Sequence, residues 1–126
     1  MQEYERASVL EPSNPIFDVK LAQVKRVMSS SKTGQERTAL LKEAEDLLNK
    51  AIAKKKNFSV AYLSLGLTQE AAGNKNGAFT NVQKAIDTDS KNIEAKFQLA
   101  RLYRVRGDED LKKSEALLKS SIEQNN

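Results

Sequence analysis

Apolar residues in this chain recur at intervals of three and four, the spacing of one face of an α-helix. The longest such stripe is Leu40, Leu41, Ala44, Leu47, Leu48, Ala51 and Ile52. Within it a small–large–small triplet stands out, Ala44–Leu48–Ala51. The same triplet returns as Ala78–Val82–Ala85 and, with serine for alanine, as Ser114–Leu118–Ser121. A second element, a large residue followed by a small one, precedes each triplet: Leu21–Ala22, Leu65–Gly66 and Leu99–Ala100. Polar turn segments separate the paired elements, among them Gly73-Asn74-Lys75-Asn76 and Gly107-Asp108-Glu109-Asp110. The spacing predicts helices over 2–10, 16–29, 35–55, 59–72, 76–88, 93–106 and 111–123.

Small residues at fixed places let two helix backbones approach, and larger ones fill the space between successive hairpins. Gly66, Ala78 and Ala85 have the first role in the central unit, as do Ala22, Ala44 and Ala51 before it. Leu65, Val82, Ile86, Leu99, Tyr103, Leu118 and Ile122 have the second. The unit repeats about every 34 residues, and the chain resembles the tetratricopeptide repeat (TPR) family of helical-hairpin arrays. Tyr62-x-x-Leu65-Gly66 matches the family's opening element, with Gln69 where an aromatic residue usually closes it. The third unit has Lys96 at the opening aromatic place and keeps Tyr103. The family's closing proline survives only as Pro12, with Lys56 and Ser90 at the later places. The resemblance implies an all-α, right-handed superhelix of antiparallel helical hairpins, acting as a non-catalytic scaffold that binds other proteins.

A half repeat over 1–14, carrying Tyr4, Ala7, Pro12, Ser13 and Asn14, would precede full repeats over 15–58, 59–92 and 93–126. The chain thus opens midway through a unit, and its last helix has more apolar residues than one stripe needs: Leu111, Leu117, Leu118 and Ile122. Both features fit a piece excised from a longer chain, and the second leaves end-to-end self-association open. A ten-residue insertion distinguishes the first hairpin, so its second helix should begin about two turns early and project. Thr33 and Glu36 have the spacing of a capping box at that start. The Ser31-Lys32-Thr33 run lacks the leading glycine and the residue order of a phosphate loop.

Composition narrows the function further. Cysteine and histidine are both absent, which removes thiolate metal sites and the commonest general base together. No cofactor, metal or catalytic residue is expected. The lack of cysteine fits a cytoplasmic protein and equally an anchored extracytoplasmic domain. The longest uncharged stretch, Asn57 to Gln69, is shorter than the ~20 residues of a membrane span. A formal charge of +4 invites nucleic acid, but Lys50, Lys54, Lys55 and Lys56 sit near one helix end, where the macrodipole favours cations. The coded side-chain pairs of RNA-reading helical repeats are missing. The acidic clusters Glu43-Ala44-Glu45-Asp46 and Asp108-Glu109-Asp110 read as solvated surface.

In TPR arrays the first helices of the hairpins line a concave groove that holds a peptide or a helix. The resemblance places Val19, Lys20, Gln23 and Arg26 there from the first hairpin, and Leu63, Ser64, Leu67 and Glu70 from the second. The third adds Phe97, Gln98, Arg101 and Arg104. Phe97 flanked by Arg101 and Arg104 points to an acidic ligand with hydrophobic anchors. The family's carboxylate-clamp places carry Val19, Gln23, Ser64, Glu94 and Gln98, which argues against chaperone-tail binding. The competing role is a structural segment that packs through its ends or through the projecting arm at 29–41.

Overall fold

Asparagine begins three of the helices. The Ile16, Gly77 and Ala95 N–H groups donate to the side-chain oxygens of Asn14, Asn74 and Asn92 at 3.1, 2.9 and 3.1 Å. Pro15 adds a preset φ at the first turn after Asn14. The computed structural model describes Glu3, Arg6, residues 13–107 and residues 111–125. Among these lie six helices: α1 (Pro15–Ser29), α2 (Gly34–Lys54), α3 (Ser59–Ala71), α4 (Lys75–Thr88), α5 (Ile93–Arg106) and α6 (Leu111–Asn125). They fall within two residues of the expected bounds. Of the expected helix over 2–10, Glu3 and Arg6 are described and helical, while Tyr4, Ala7 and Pro12 lie outside the described residues. Asp108, Glu109, Asp110 and the Leu111 side chain also lie outside them.

Sequential helices pair as hairpins, α1 with α2, α3 with α4 and α5 with α6. The small residues sit where backbones meet. Ala22, Ala44, Ala51, Ala78, Ala85, Ala100 and Ser121 are fully buried, and Ser114 nearly so. At Gly66 the approach is closest. A Cβ there would stand 2.7 Å from Val82 Cγ2 and 3.1 Å from the Ala78 carbonyl oxygen and the Val82 nitrogen. The larger residues then weld one hairpin to the next. One core cluster joins Val19, Ala22, Ala44, Leu48 and Ala51 of the first hairpin to Ala61 and Leu65 of α3. Another joins Tyr62, Leu63, Ala78, Val82 and Ala85 to Ala95, Leu99 and Leu102 of α5. Ile52 packs against both, so the core runs without a break along the array.

Several polar residues inside the array are paired across helices. Asp18, 1% exposed, takes the place that Tyr62 and Lys96 hold in the later repeats, and accepts from Lys54 Nζ of α2 at 2.7 Å. Tyr62 OH donates to the Lys56 carbonyl at 3.0 Å, and Lys96 Nζ to Ser120 Oγ at 3.1 Å. Ser59 Oγ donates to the Ala85 carbonyl and accepts from Asn92 Nδ2, tying the start of α3, the end of α4 and the cap of α5.

The insertion enters α2 as helix: α2 has 21 residues against 14 in α4. The capping box does not form. Thr33 makes no side-chain cap hydrogen bond, and Glu36 instead pairs with Lys32 at 3.7 Å. Gly34 turns the chain into the helix at φ +57°, a left-handed conformation that departs from the path a capping box requires. Arg37 anchors the extension instead. Its two terminal nitrogens donate to the Ser29 carbonyl at 2.9 Å and the Ala71 carbonyl at 2.8 Å. One guanidinium thereby satisfies carbonyls at the C-terminal ends of both α1 and α3, groups that lack intrahelical donors.

Because the α3–α4 approach leaves no room at Gly66, Gly66→Leu should destabilise the fold by roughly 1–3 kcal/mol through overpacking. Thermal unfolding followed by circular dichroism would read this as a drop of several degrees. An unchanged midpoint would mean that the two backbones can part at no cost.

Candidate peptide-binding face of the first helices

Each first helix buries one side against its hairpin partner and leaves another open. The open stripes share one register: Lys20, Gln23 and Val27 on α1; Val60, Ser64, Leu67 and Ala71 on α3; Glu94, Gln98, Arg101 and Val105 on α5. Cross-links hold the stripes side by side. Gln23 Nε2 donates to Ser64 Oγ at 3.2 Å, linking α1 to α3. Arg101 donates to both Glu70 oxygens, NH2 to Oε1 at 2.6 Å and NH1 to Oε2 at 2.9 Å, linking α5 to α3.

The expected groove residues divide into three groups. Lys20, Phe97 and Arg104 are exposed, and Gln23, Arg26, Leu67, Gln98 and Arg101 are half-buried. Val19 and Leu63 are buried, at 0% and 8% exposure. The expectation that these two line the groove is corrected by packing: Val19 lies in the core cluster with Ala61 and Leu65 of α3, and Leu63 in the one with Ala95 and Leu99 of α5. They occupy the seam between one first helix and the next. Phe97 holds the same register on α5, over which no further first helix packs among the described residues, and it is 38% exposed. Its exposure is therefore that of an uncovered seam. Ser64, at 3%, is closed over by the contact with Gln23.

Three apolar residues on the open face were absent from the sequence expectation. Val27 and Val105 are 64% and 66% exposed at equivalent places on α1 and α5, and Val60 is 40% exposed on α3. Four of the five large exposed hydrophobic residues among those described are Val27, Val60, Phe97 and Val105, all on first helices. The signal was present in the repeat register, which sets Val27 and Val105 directly after Arg26 and Arg104. Beside Val105 the face dips into a hollow of about 270 Å³, lined by Lys75, Phe79, Leu102 and Arg106. The Arg106 guanidinium lies 3.7 Å from the centre of the Phe79 ring, and that ring packs against Tyr103 at 5.1 Å.

Arginine and glutamate order the charge. Hydrogen bonds from Arg101 hold the Glu70 carboxyl below its ordinary range against the opposing effect of burial, and the charges of Arg101, Arg26 and Lys75 add to this. The same hydrogen bonds raise the Arg101 pKa. Burial lowers that of Arg26, which Glu70 offsets through its charge. Arg101 is thus already matched inside the protein, a correction to its expected role beside Phe97 as a free cation for an acidic ligand.

The class is now defined. The fold is that of the TPR solenoids, all-α and a right-handed superhelix of antiparallel helical hairpins. It is similar to the crystal structure of TTC0263, a thermophilic TPR protein in Thermus thermophilus, with 18% identity and a TM-score of 0.88 over 98% of this chain and 62% of that one. It is also similar to the MamA RS-1 ArsTM double mutant, with 18% identity and a TM-score of 0.73 over 97% of this chain and 62% of that one. A crystal structure of MamA aligns at 18% identity and a TM-score of 0.62 over 97% of this chain and 84% of that one. The chain spans 62% of the length of the first two, and the likeness at this identity is one of fold. No protein-family model and no curated protein matches the sequence. Among the described residues no helix is long and apolar enough to cross a membrane.

The depressed Glu70 pKa carries a pH dependence of definite sign. A carboxyl whose folded pKa lies below its ordinary value of 4.5 stabilises the fold above that pH, and the contribution disappears as pH falls through the folded value. Glu70 and Arg101 side chains are 29% and 37% exposed, so solvent screening keeps the pair at no more than about 1 kcal/mol. Denaturant titrations should find wild type more stable than Glu70→Gln at pH 7, with the gap closing below about pH 4. A gap independent of pH would show that the pair contributes nothing through its charge.

Proposed function

We propose that this chain is a non-catalytic protein-interaction scaffold that binds an extended peptide or a helix along the open face of α1, α3 and α5. The observation that carries the reading is the concentration of exposed Val27, Val60 and Val105 on that face, beside Lys20, Arg26 and Arg104. Scattered exposed apolar residues need no explanation, but several on one face rimmed by charge, Val27 and Val105 at equivalent places and Val60 near the other end of α3, are what an interaction surface requires. Neighbouring packed helices stand about 8–10 Å apart, so the line from Val27 across Ala71 to Val105 spans roughly 20 Å. An extended peptide rises about 3.3 Å per residue and would cover it with about six residues. Its side chains would anchor on Val27 and Val105, and the positive rim would favour acidic residues between them. Rim charge mostly steers association, whereas the apolar anchors carry the affinity.

Replacing both Val27 and Val105 with Asp should weaken binding of a leucine-containing acidic dodecapeptide at least tenfold, about 1.4 kcal/mol, without changing the fold. Fluorescence anisotropy and circular dichroism would read the two quantities. Unaltered affinity would remove the open face as the binding site and move attention to the α2 extension.

A second reading, self-association through the ends, has its own observation. Ile122 stands in the register of Ile52 and Ile86, both packed against core clusters, yet is 57% exposed. With Phe97 it forms an uncovered copy of the seam. Sedimentation should show reversible dimers at high protein concentration and none after Phe97→Glu with Ile122→Glu. A wild-type chain that stays monomeric throughout would exclude this mode.

A further inference from the structure

The centre of the open face has two guanidinium groups and one carboxylate. Arg101 approaches Glu70 from α5 and takes both oxygens, while its Nε donates to Gln98 Oε1 at 2.8 Å, so every nitrogen of this group is engaged. Arg26 approaches from α1, and Glu70 acts on it through space. The Arg26 Nε is buried and has no hydrogen-bond partner. That nitrogen is closed to a ligand as well as to solvent, so an added carboxylate would bond the two terminal nitrogens and offset the cost of the half-buried charge while Nε stays unpaired. Lys20 and Arg104 on the same face are exposed, so four cations stand against Glu70 and Glu94. Glu94 itself accepts from Gln98. Next to Arg26, Val27 offers a largely exposed apolar surface.

We propose that Arg26 is the carboxylate-recognition residue of this face, taking an Asp or Glu side chain of an extended acidic peptide whose adjacent apolar side chain rests on Val27. Glu70 is the specificity-determining partner: by occupying Arg101 it leaves Arg26 as the guanidinium that meets a carboxylate at the centre of the face, with exposed Arg104 on the rim. The proposal rests on the peptide-binding reading above and goes beyond it in naming which of the arginines reads charge. The guanidinium is suited to this because its planar fork donates two parallel hydrogen bonds to one carboxylate, which a lysine cannot do.

The test uses an array of capped dodecapeptides with two leucines and a central Glu, Gln or Lys, measured against the full chain by fluorescence anisotropy. A hydrogen bond between charged groups is worth enough to make Glu peptides bind about tenfold tighter than their Gln counterparts. Arg26→Gln should abolish that preference while leaving the affinity for Gln peptides within about twofold. Arg26→Lys should keep a smaller, more salt-sensitive preference. The double variant Arg101→Gln with Glu70→Gln, which removes both Arg101 and the acceptor it occupies, should leave the preference in place, and Glu70→Gln alone should tighten Glu peptides by releasing Arg101. Circular dichroism melts of each variant separate loss of recognition from loss of fold. A Glu preference that survives Arg26→Gln, or that disappears in the folded Arg101→Gln with Glu70→Gln double variant, overturns the proposal and leaves the binding face standing. Binding that ignores the paired Val27 and Val105 substitutions, or no binding by any array peptide, overturns the peptide-binding reading itself and this proposal with it.

Discussion

Close approach of two helix backbones within each hairpin is the constraint on which the rest of the structure depends. At Gly66 the distance to Val82 and to the Ala78 carbonyl leaves no space for a side chain, and at Ala22, Ala44, Ala51, Ala78, Ala85 and Ala100 it leaves space for a methyl group only. Hairpins packed this tightly act as plates. Each presents a row of larger side chains to the next plate, and the core passes from plate to plate through Leu65, Ile52 and Leu99. Stability of such arrays is close to a sum of unit and nearest-neighbour terms. A disturbance at one approach therefore acts on its own hairpin and on the seam that follows.

The seam decides which residues of the first helices are available to a partner. Val19, Leu63 and Phe97 have one register and three environments: Val19 is covered by α3, Leu63 by α5, and Phe97 is uncovered. Ile52, Ile86 and Ile122 follow the same course on the second helices. Val27 and Val105 sit on another side of the first helices, outside the seam, and keep similar exposure at both ends of the array. For that reason they, rather than the seam residues, define the open face. The Arg37 brace works on the same geometry from a different direction, holding the C-terminal ends of α1 and α3 at a fixed separation.

Charge on the open face is organised by competition for one acceptor. Glu70 has two oxygens and both are taken by Arg101. Arg26, equally cationic and more buried, is left to interact with Glu70 through space. Two arginines that look interchangeable in the sequence thus differ in what they can offer a ligand, and the difference lies in which helix brings its guanidinium to the carboxylate first.

Helix boundaries, hairpin pairing and the buried small residues were legible in the sequence, because each follows from local spacing and side-chain size. Ala44–Leu48–Ala51 announces a buried stripe wherever it occurs on a helix, and its recurrence announces the array. The length of α2 was legible as well, since its apolar stripe extends unbroken from Leu40 to Ile52. Its anchoring was not: the local Thr33 and Glu36 pattern suggested a capping box, whereas Arg37 reaches a carbonyl 34 residues away on α3. The candidate site was legible only in outline. Register identified the first helices and the residues near their open side, but the split of Val19 and Leu63 from Val27 and Val105 depends on which neighbour covers each position. Asp18, at a place held by an aromatic in the next repeat, is tolerated because Lys54 arrives from α2. Arg101 is spent and Arg26 is not because of distances between different helices. Residue identity and spacing set what each helix can bury, while the tertiary structure decided which polar group meets which, since those meetings join residues that no local pattern relates.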